Sequence, residues 1–275
     1  MERVYDTADA KSQGASTSAS ASTSTYETAQ VCLLAGKIIL ENGGETHRVE
    51  DTMTRVATAF GLPNSHSYVT PTVIIFSIDG PEQITRLIRI SDRSTNLMRV
   101  SEVNAVSRRI SQGELTVAEA YALLEQIERT DSGYAKRVRI LTAALLSACF
   151  LIMFGGVWAD FIPALAAGGA GYACSIYLHR VVPIKFFAEF LSALVIGAIA
   201  ILAIKLGLGQ DLDTIIVGSV MPLVPGLLIT NAVRDLMAGH FVSGLSKGAE
   251  ALLTAFAIGA GVAFVLSFYE GSALL

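Results

Sequence analysis

From Ile140 onward the chain is a succession of five apolar runs, at 140–157, 160–179, 186–207, 212–231 and 249–269. A helix needs about 20 apolar residues to cross the hydrocarbon core of a bilayer, and each run is near that length. A soluble protein seldom strings five such runs together. Lipid offers backbone N–H and C=O groups no partners, so the runs must form helices that satisfy themselves. The expected fold class is therefore an α-helical polytopic membrane protein.

Charge divides the chain in the same place. Fifteen of its 20 Lys and Arg lie in residues 1–139, while the rest is Leu, Ala, Ile, Val and Gly with sparse charges. The mean hydropathy of +0.54 averages a polar half with a strongly apolar one. Flanking cations set orientation, because loops rich in Lys and Arg stay in the cytoplasm. Lys136, Arg137 and Arg139 precede the first run, Arg180 and Lys185 lie between the second and third, and Arg234 and Lys247 between the fourth and fifth. The opposite side has Lys205 alone. This places the N-terminus in the cytoplasm, the C-terminus outside, and the protein in the plasma (inner) membrane. The net charge of −4 is small and implies no nucleic-acid partner.

Three parts are expected: a disordered Ala/Ser/Thr-rich tail over 1–26, a cytoplasmic α+β domain over 27–135, and a five-helix transmembrane domain over 136–275. The tail contains no apolar run, so no cleavable signal peptide is expected. Cys32, Cys149 and Cys174 have neither metal-ligand spacing nor a disulfide pattern. In the α+β part, Thr28–Leu40 reads as a helix closed by Asn42-Gly43-Gly44, residues suited to a left-handed C-cap. A second helix covers Thr46–Phe60. The β-branched stretch 67–78 reads as extended, followed by a turn at Asp79-Gly80-Pro81 and a second extended run over 84–91. Helices follow near 97–111 and 116–130, the last opened by a Thr116/Glu119 capping box.

Two regions carry candidate chemistry. In GGETHRVEDTMTR (43–55), His47, Glu50, Asp51 and Thr54 share one helix face, with Arg48 and Arg55 close to its edges. Either this is a cytoplasmic substrate or proton site, since His titrates near neutral pH, or it is a solvated face of ion pairs. The second region is GSVMPLVPGLLITNAVRDLMAGHFVSGLSKGAE (218–250). Pro222 and Pro225 each remove a backbone donor and clash with the preceding turn, so the helix must break there, beside Gly226. Within two turns come Thr230, Asn231, Arg234 and Asp235, then Ser243, Lys247 and Glu250. A transport path needs broken helix and polar side chains at membrane depth; an interfacial Arg–Asp pair beside a packing kink is the plainer alternative. Arg234 can hold a carboxylate as a bidentate fork. Glu189, four residues after Lys185, is either a boundary ion-pair partner or a proton relay. Asp160 reads as interfacial. No nucleophile elbow, P-loop or His-Glu-x-x-His is present, so no enzyme activity, cofactor or metal is expected.

The sequence resembles the threonine/serine exporter family. The resemblance rests on PGLLITNAVRDLMAGHFVSGLSKGAEAL (225–252), on GGETHRVEDTM (43–53), on Thr70-Pro71-Thr72 and on ISQGELTVAEAYALLEQI (110–127). It implies a gradient-driven exporter of small hydroxy amino acids or of dicarboxylates such as succinate. Full-length members look like two fused membrane halves, whereas this chain is similar to the subunit of a split system that carries the cytoplasmic domain. A second membrane subunit, and possible self-association, follow as the implied partners beside the lipid bilayer. The resemblance implies a substrate-path role for Pro225, Thr230, Asn231, Arg234, Asp235 and Glu250, and a weaker one for Glu45, His47, Arg48 and Glu50. A non-transporting sensor or regulatory subunit is the competing function.

Overall fold

The computed structural model describes residues 8–79, 83–130, 133–182, 184 and 186–273, with side chains described between Thr25 and Tyr269. It divides into two compact units. One comprises Met1–Ser132 with Thr230–Lys247, the other Gly133–Ile229 with Gly248–Leu275. The polar segment 230–247 belongs with the N-terminal unit.

That unit contains α1 (Ala8–Glu41), α2 (Thr46–Ala59), β1 (Ser65–Thr70), β2 (Val73–Ile78), β3 (Ile84–Arg89), α3 (Leu97–Ser111) and α4 (Val117–Arg129). Helix α1 begins well before the expected Thr28: the Ala/Ser/Thr tract from Ala8 is helical, in keeping with alanine's high helix propensity, and residues 1–7 of the expected tail lie outside the described residues. The three strands form an antiparallel meander, β1-β2-β3. The sequence suggested one extended run over 67–78; the structure folds it into two strands around Pro71-Thr72, with Thr70 paired to Val73. Proline cannot donate to a ladder, and the Thr70 hydroxyl instead accepts from Val73 N at 3.2 Å. Of the turn expected at Asp79-Gly80-Pro81, Gly80 and Pro81 lie outside the described residues.

Strand β2 alternates in burial, sending Ile74, Phe76 and Ile78 into a core with Leu33, Ile38, Ile39 and Leu40 of α1 and Val49 and Met53 of α2. Helix α1 ends as its sequence suggests. Gly43 adopts φ +91°, and Gly44 N donates to Ile39 O at 2.9 Å. A Cβ at Gly44 would lie 2.3 Å from the Ile39 side chain, so this corner tolerates only glycine. The capping box of α4 is formed in both directions, and these bonds to the Glu119 carboxylate hold its pKa below the usual value. Lys37 ties α1 to α4 through Glu128 at 2.7 Å.

The second unit contains α5 (Lys136–Met153), α6 (Phe161–Val181), α7 (Phe187–Lys205), α8 (Leu212–Val220), the start of α9 (Gly226–Met237) and most of α10 (Phe241–Ala273). Among the described residues three stretches are long and apolar enough to cross a membrane: Trp158–Val181, Phe187–Lys205 and Phe241–Tyr269. A fourth arises if Leu212–Leu223 and Gly226–Met237, bent by 60° at the break between them, count as one span. The first expected span, α5, is shorter in apolar length. Lys136, Arg137 and Arg139 occupy its first turn, leaving Ile140–Met153, roughly 21 Å of helix against about 30 Å of hydrocarbon.

Small residues let these helices approach closely, as membrane interfaces require. A Cβ at Gly168 of α6 would fall 1.9 Å from the Ser147 hydroxyl of α5, one at Gly171 2.3 Å from Ile196 of α7, and one at Gly261 of α10 2.4 Å from Phe190 O. Asp160, expected at a hydrated interface, is instead fully buried, and its carboxylate accepts from Gln210 N and Asp211 N at 2.5 and 3.1 Å. Those two amides give the charge what water would otherwise supply. Gly168→Val is therefore expected to remove most folded protein from detergent extracts, measured by size-exclusion recovery and melting temperature. Gly259→Ala, whose new methyl would meet nothing within 4 Å, should leave both unchanged.

Candidate functional site

The two sequence regions singled out for chemistry meet in the N-terminal unit. Helix α9 ends at Met237, and a three-residue link, with Gly239 at φ +86°, turns the chain into α10. Gly244 allows this hairpin to close, since a Cβ there would lie 2.6 Å from Leu236 and 3.0 Å from Ala232 O. The hairpin brings Lys247 of α10 against Asp235 of α9, Nζ to Oδ2, at 2.7 Å. Side-chain exposures of 4% and 0% make this a buried ion pair.

The pair survives burial because it is fully solvated by protein. Asp235 Oδ1 accepts from Thr46 N and Oδ2 from Thr46 Oγ1, both at 2.9 Å. Lys247 also donates to Thr46 Oγ1 at 3.3 Å and Gly44 O at 3.4 Å, so its three N–H groups face three acceptors. Helix α2 has no side-chain cap of its own at Glu45. Asp235 supplies one in trans, placing a carboxylate at the positive end of the helix dipole.

Around this pair runs a second polar layer. Arg234 Nη1 is bonded to Glu45 Oε1, and Glu45 Oε2 lies 3.5 Å from His47 Nε2. Glu45 is nearly buried, while the Arg234 side chain keeps 58% of its exposure, so its remaining donors stay accessible. Asn231 donates to Gly43 O at 2.8 Å, and Ser243 to Val69 O at 3.1 Å. Glu50 accepts from Val69 N at 2.9 Å and has His240 Nδ1 at 3.8 Å. Burial pushes the Glu50 carboxyl above its usual value, opposed by the Val69 amide and the His240 charge, while the charge on Asp235 adds to the rise.

The remaining candidates divide. Arg48 is exposed and takes no part in the cluster. Thr230 lies one turn before Arg234, and Glu250 one turn after Lys247. Pro222, Pro225 and Gly226 form the break itself: α8 ends at Val220, a 3-10 turn spans Met221–Leu223, and Val224 is extended. Glu189 pairs with His179 of α6 at 3.2 Å. Its other oxygen is buried with no hydrogen-bond partner among the described residues, and the expected partner Lys185 lies outside them. Lys247, Thr46 and His240 were not singled out as site residues. Only the i, i+12 hairpin spacing across Gly239 and Gly244 hinted that Lys247 faces Asp235. No group of three metal-ligating side chains occurs among the described residues.

The family model described as "Putative threonine/serine exporter" matches residues 30–269. The chain belongs to this family. It is 27% identical over 245 residues to the "Probable succinate transporter subunit YjjP" of Klebsiella aerogenes, a match covering 87% of this chain and 93% of that one. It is 24% identical over 230 residues to the "Probable threonine/serine exporter" of Mycobacterium tuberculosis, covering 82% of this chain and 43% of that protein. Over 243 residues it is 25% identical to the "Threonine/serine exporter" of Corynebacterium glutamicum, covering 86% and 50%. This family member thus spans nearly all of the first relative and about half of the other two. No solved structure matches it.

Two outcomes follow from the cluster. Lys247→Met leaves a buried Asp235 with only the Thr46 donors and is expected to cost about 3 kcal/mol. Adding Asp235→Asn, which keeps an acceptor for Thr46 N, should recover part of that loss in detergent melts; a double variant weaker than the single would contradict the pairing. For Glu50, the raised folded-state pKa means the native protein binds the proton more readily than the unfolded chain. Its contribution therefore falls as pH rises from 4.5 through the raised value. Glu50→Gln removes that penalty, so its melting temperature should match the wild type near pH 4 and exceed it at pH 7.

Proposed function

We propose that this membrane protein is a gradient-driven exporter subunit for small hydroxy amino acids, threonine and serine, or for related carboxylates including succinate. The observation that carries the reading is an apolar helix pair, broken at Pro222–Pro225, whose second half, α9, carries Arg234 and Asp235 into a cluster of ion pairs. Neither feature serves a simple anchor, because lipid penalises both. Family membership and the names of the relatives support the substrate classes. The proposed path takes in Pro222, Pro225, Gly226, Thr230, Asn231, Arg234, Asp235 and Glu250. Glu45, His47, Arg48 and Glu50 form its cytoplasmic approach. Arg234, half exposed and held by Glu45, exchanges that carboxylate for one on the solute. Glu189, paired with His179, is the proposed proton relay.

In this reading α5 is the first of five crossings, its cations at the cytoplasmic surface as the positive-inside rule requires. The N-terminus is then cytoplasmic, the C-terminus is outside, and the membrane is the plasma (inner) membrane. A second membrane subunit completes the pathway, in line with the subunit name of the Klebsiella aerogenes relative and the half-length matches to the two exporters. No ATP site or catalytic set is invoked; the solute or ion gradient supplies the driving force.

The competing reading is a non-transporting regulatory subunit, favoured by the N-terminal domain's hydrogen bonds to the 230–247 hairpin. Efflux of labelled threonine, serine and succinate from preloaded cells separates the two. Deletion of the gene should slow efflux of at least one of the three, and Arg234→Ala should reproduce that loss with the protein still in the membrane. Unchanged efflux of all three after deletion would exclude the exporter reading.

A further inference from the structure

The second unit holds a cation that the path described above does not use. Arg139 sits in the first turn of α5, yet its Nη2 donates to the Tyr172 hydroxyl at 3.0 Å and its guanidinium lies 5.9 Å from the Tyr172 ring centroid. Tyr172 is well inside α6, nine residues or roughly 14 Å of helix rise before Val181. Arg139 itself is exposed, and its guanidinium lies along α6 at the level of Tyr172. It pairs with no carboxylate among the described residues, whereas Arg234 is occupied by Glu45.

Arg139 and Tyr172 line a cleft of about 440 Å³, walled by Thr142, Val138 and Leu146 of α5 and by Pro222 at the helix break. That volume is in the range of small-ligand sites, which pair mostly apolar walls with a few placed polar groups. An exposed guanidinium with no carboxylate partner among the described residues keeps its donors for a ligand. Of guanidinium's five N–H donors, Tyr172 takes one, which leaves a planar fork that matches a carboxylate. Thr142 offers a hydroxyl beside it, and Val138 and Leu146 offer contact to an aliphatic stem.

We propose that this cleft binds the carboxylate of a small organic solute, with Arg139 as the anion-binding residue and Tyr172 as the residue that positions it. The inference rests on the exporter reading for the identity of the solute, but binding is measured independently of export. Full-length protein in phosphatidylcholine nanodiscs would be titrated with labelled succinate and threonine, and with the neutral diamide of succinate. Saturable binding of a carboxylate, without binding of the diamide, is expected. Arg139→Gln should raise the half-saturating concentration roughly tenfold or more, the usual weight of a charge-assisted bond. Arg139→Lys should rescue it in part, and Tyr172→Phe should weaken it by a smaller factor. Melting temperatures of the variants identify any that fail to fold, and Tyr172→Phe, which keeps the ring, then carries the test.

Carboxylate binding that is absent in the wild type, or unchanged in folded Arg139→Gln, overturns the proposal. So does a result in which anionic phospholipid displaces the solute and Arg139→Gln removes co-purifying lipid alone, which would make the cleft a headgroup site. Efflux from cells carrying the same variants decides the exporter reading separately. Arg139-dependent binding without any efflux would refute export and leave the site intact.

Discussion

A carboxylate and an ammonium, both without access to water, face each other across the α9–α10 hairpin, and the N-terminal unit is organised around them. Asp235 and Lys247 are tolerable there because every lone pair and proton that matters has a partner on α2 or on the corner before it. Thr46 answers Asp235 with both its amide and its hydroxyl, and Gly44 and Thr46 take the remaining ammonium protons. Burying two charges is expensive, and such a pair repays its desolvation only when geometry and hydrogen bonding are complete. It follows that the hairpin, the Asn42-Gly43-Gly44 corner and the start of α2 form one cooperative device. None of the three can shift without exposing a charge to apolar surroundings.

The same economy appears in the second unit. Helices α5, α6, α7 and α10 approach through Gly168, Gly171 and Gly261, positions where a methyl group would collide with a neighbour. Close packing replaces the hydrophobic driving force that lipid cannot supply. Against this tight background two features are exceptional: the backbone break at Pro222–Pro225, and Arg139 lying against Tyr172 without a counter-ion. Asp160 shows what a purely structural charge looks like here, buried and answered by two backbone amides. Arg139 lacks such answers and instead faces open space.

Much of the molecule was legible from residue order. The helices at 46–60, 97–111 and 116–130 were readable because apolar period, caps and turn residues agree, as at Thr116 and Glu119. The C-cap at Gly43 and the break between Pro222 and Pro225 followed from backbone chemistry alone. Less legible was the fold of 67–78 into two strands, since β-branched residues favour extension on both sides of Pro71 and only the ladder reveals the turn. Asp160 was misjudged because sequence shows proximity to a helix end, not which loop folds over it. The first apolar run, 140–157, resembles the others in sequence, but its helix ends at Met153 and leaves only Ile140–Met153 as apolar length.

For the candidate site the division is sharper. The sequence by itself determined which residue types were available, that lipid would not accept them unpaired, and that the helix must break upstream of them. Helical period also grouped Asn231, Arg234 and Asp235 on one face. What only the tertiary structure decided was pairing: Asp235 with Lys247 and Thr46, Arg234 with Glu45, Glu189 with His179. Helix faces follow from a local period of 3.6 residues. Partners nearly 190 residues apart follow from how hairpins and corners pack, and no local rule encodes that.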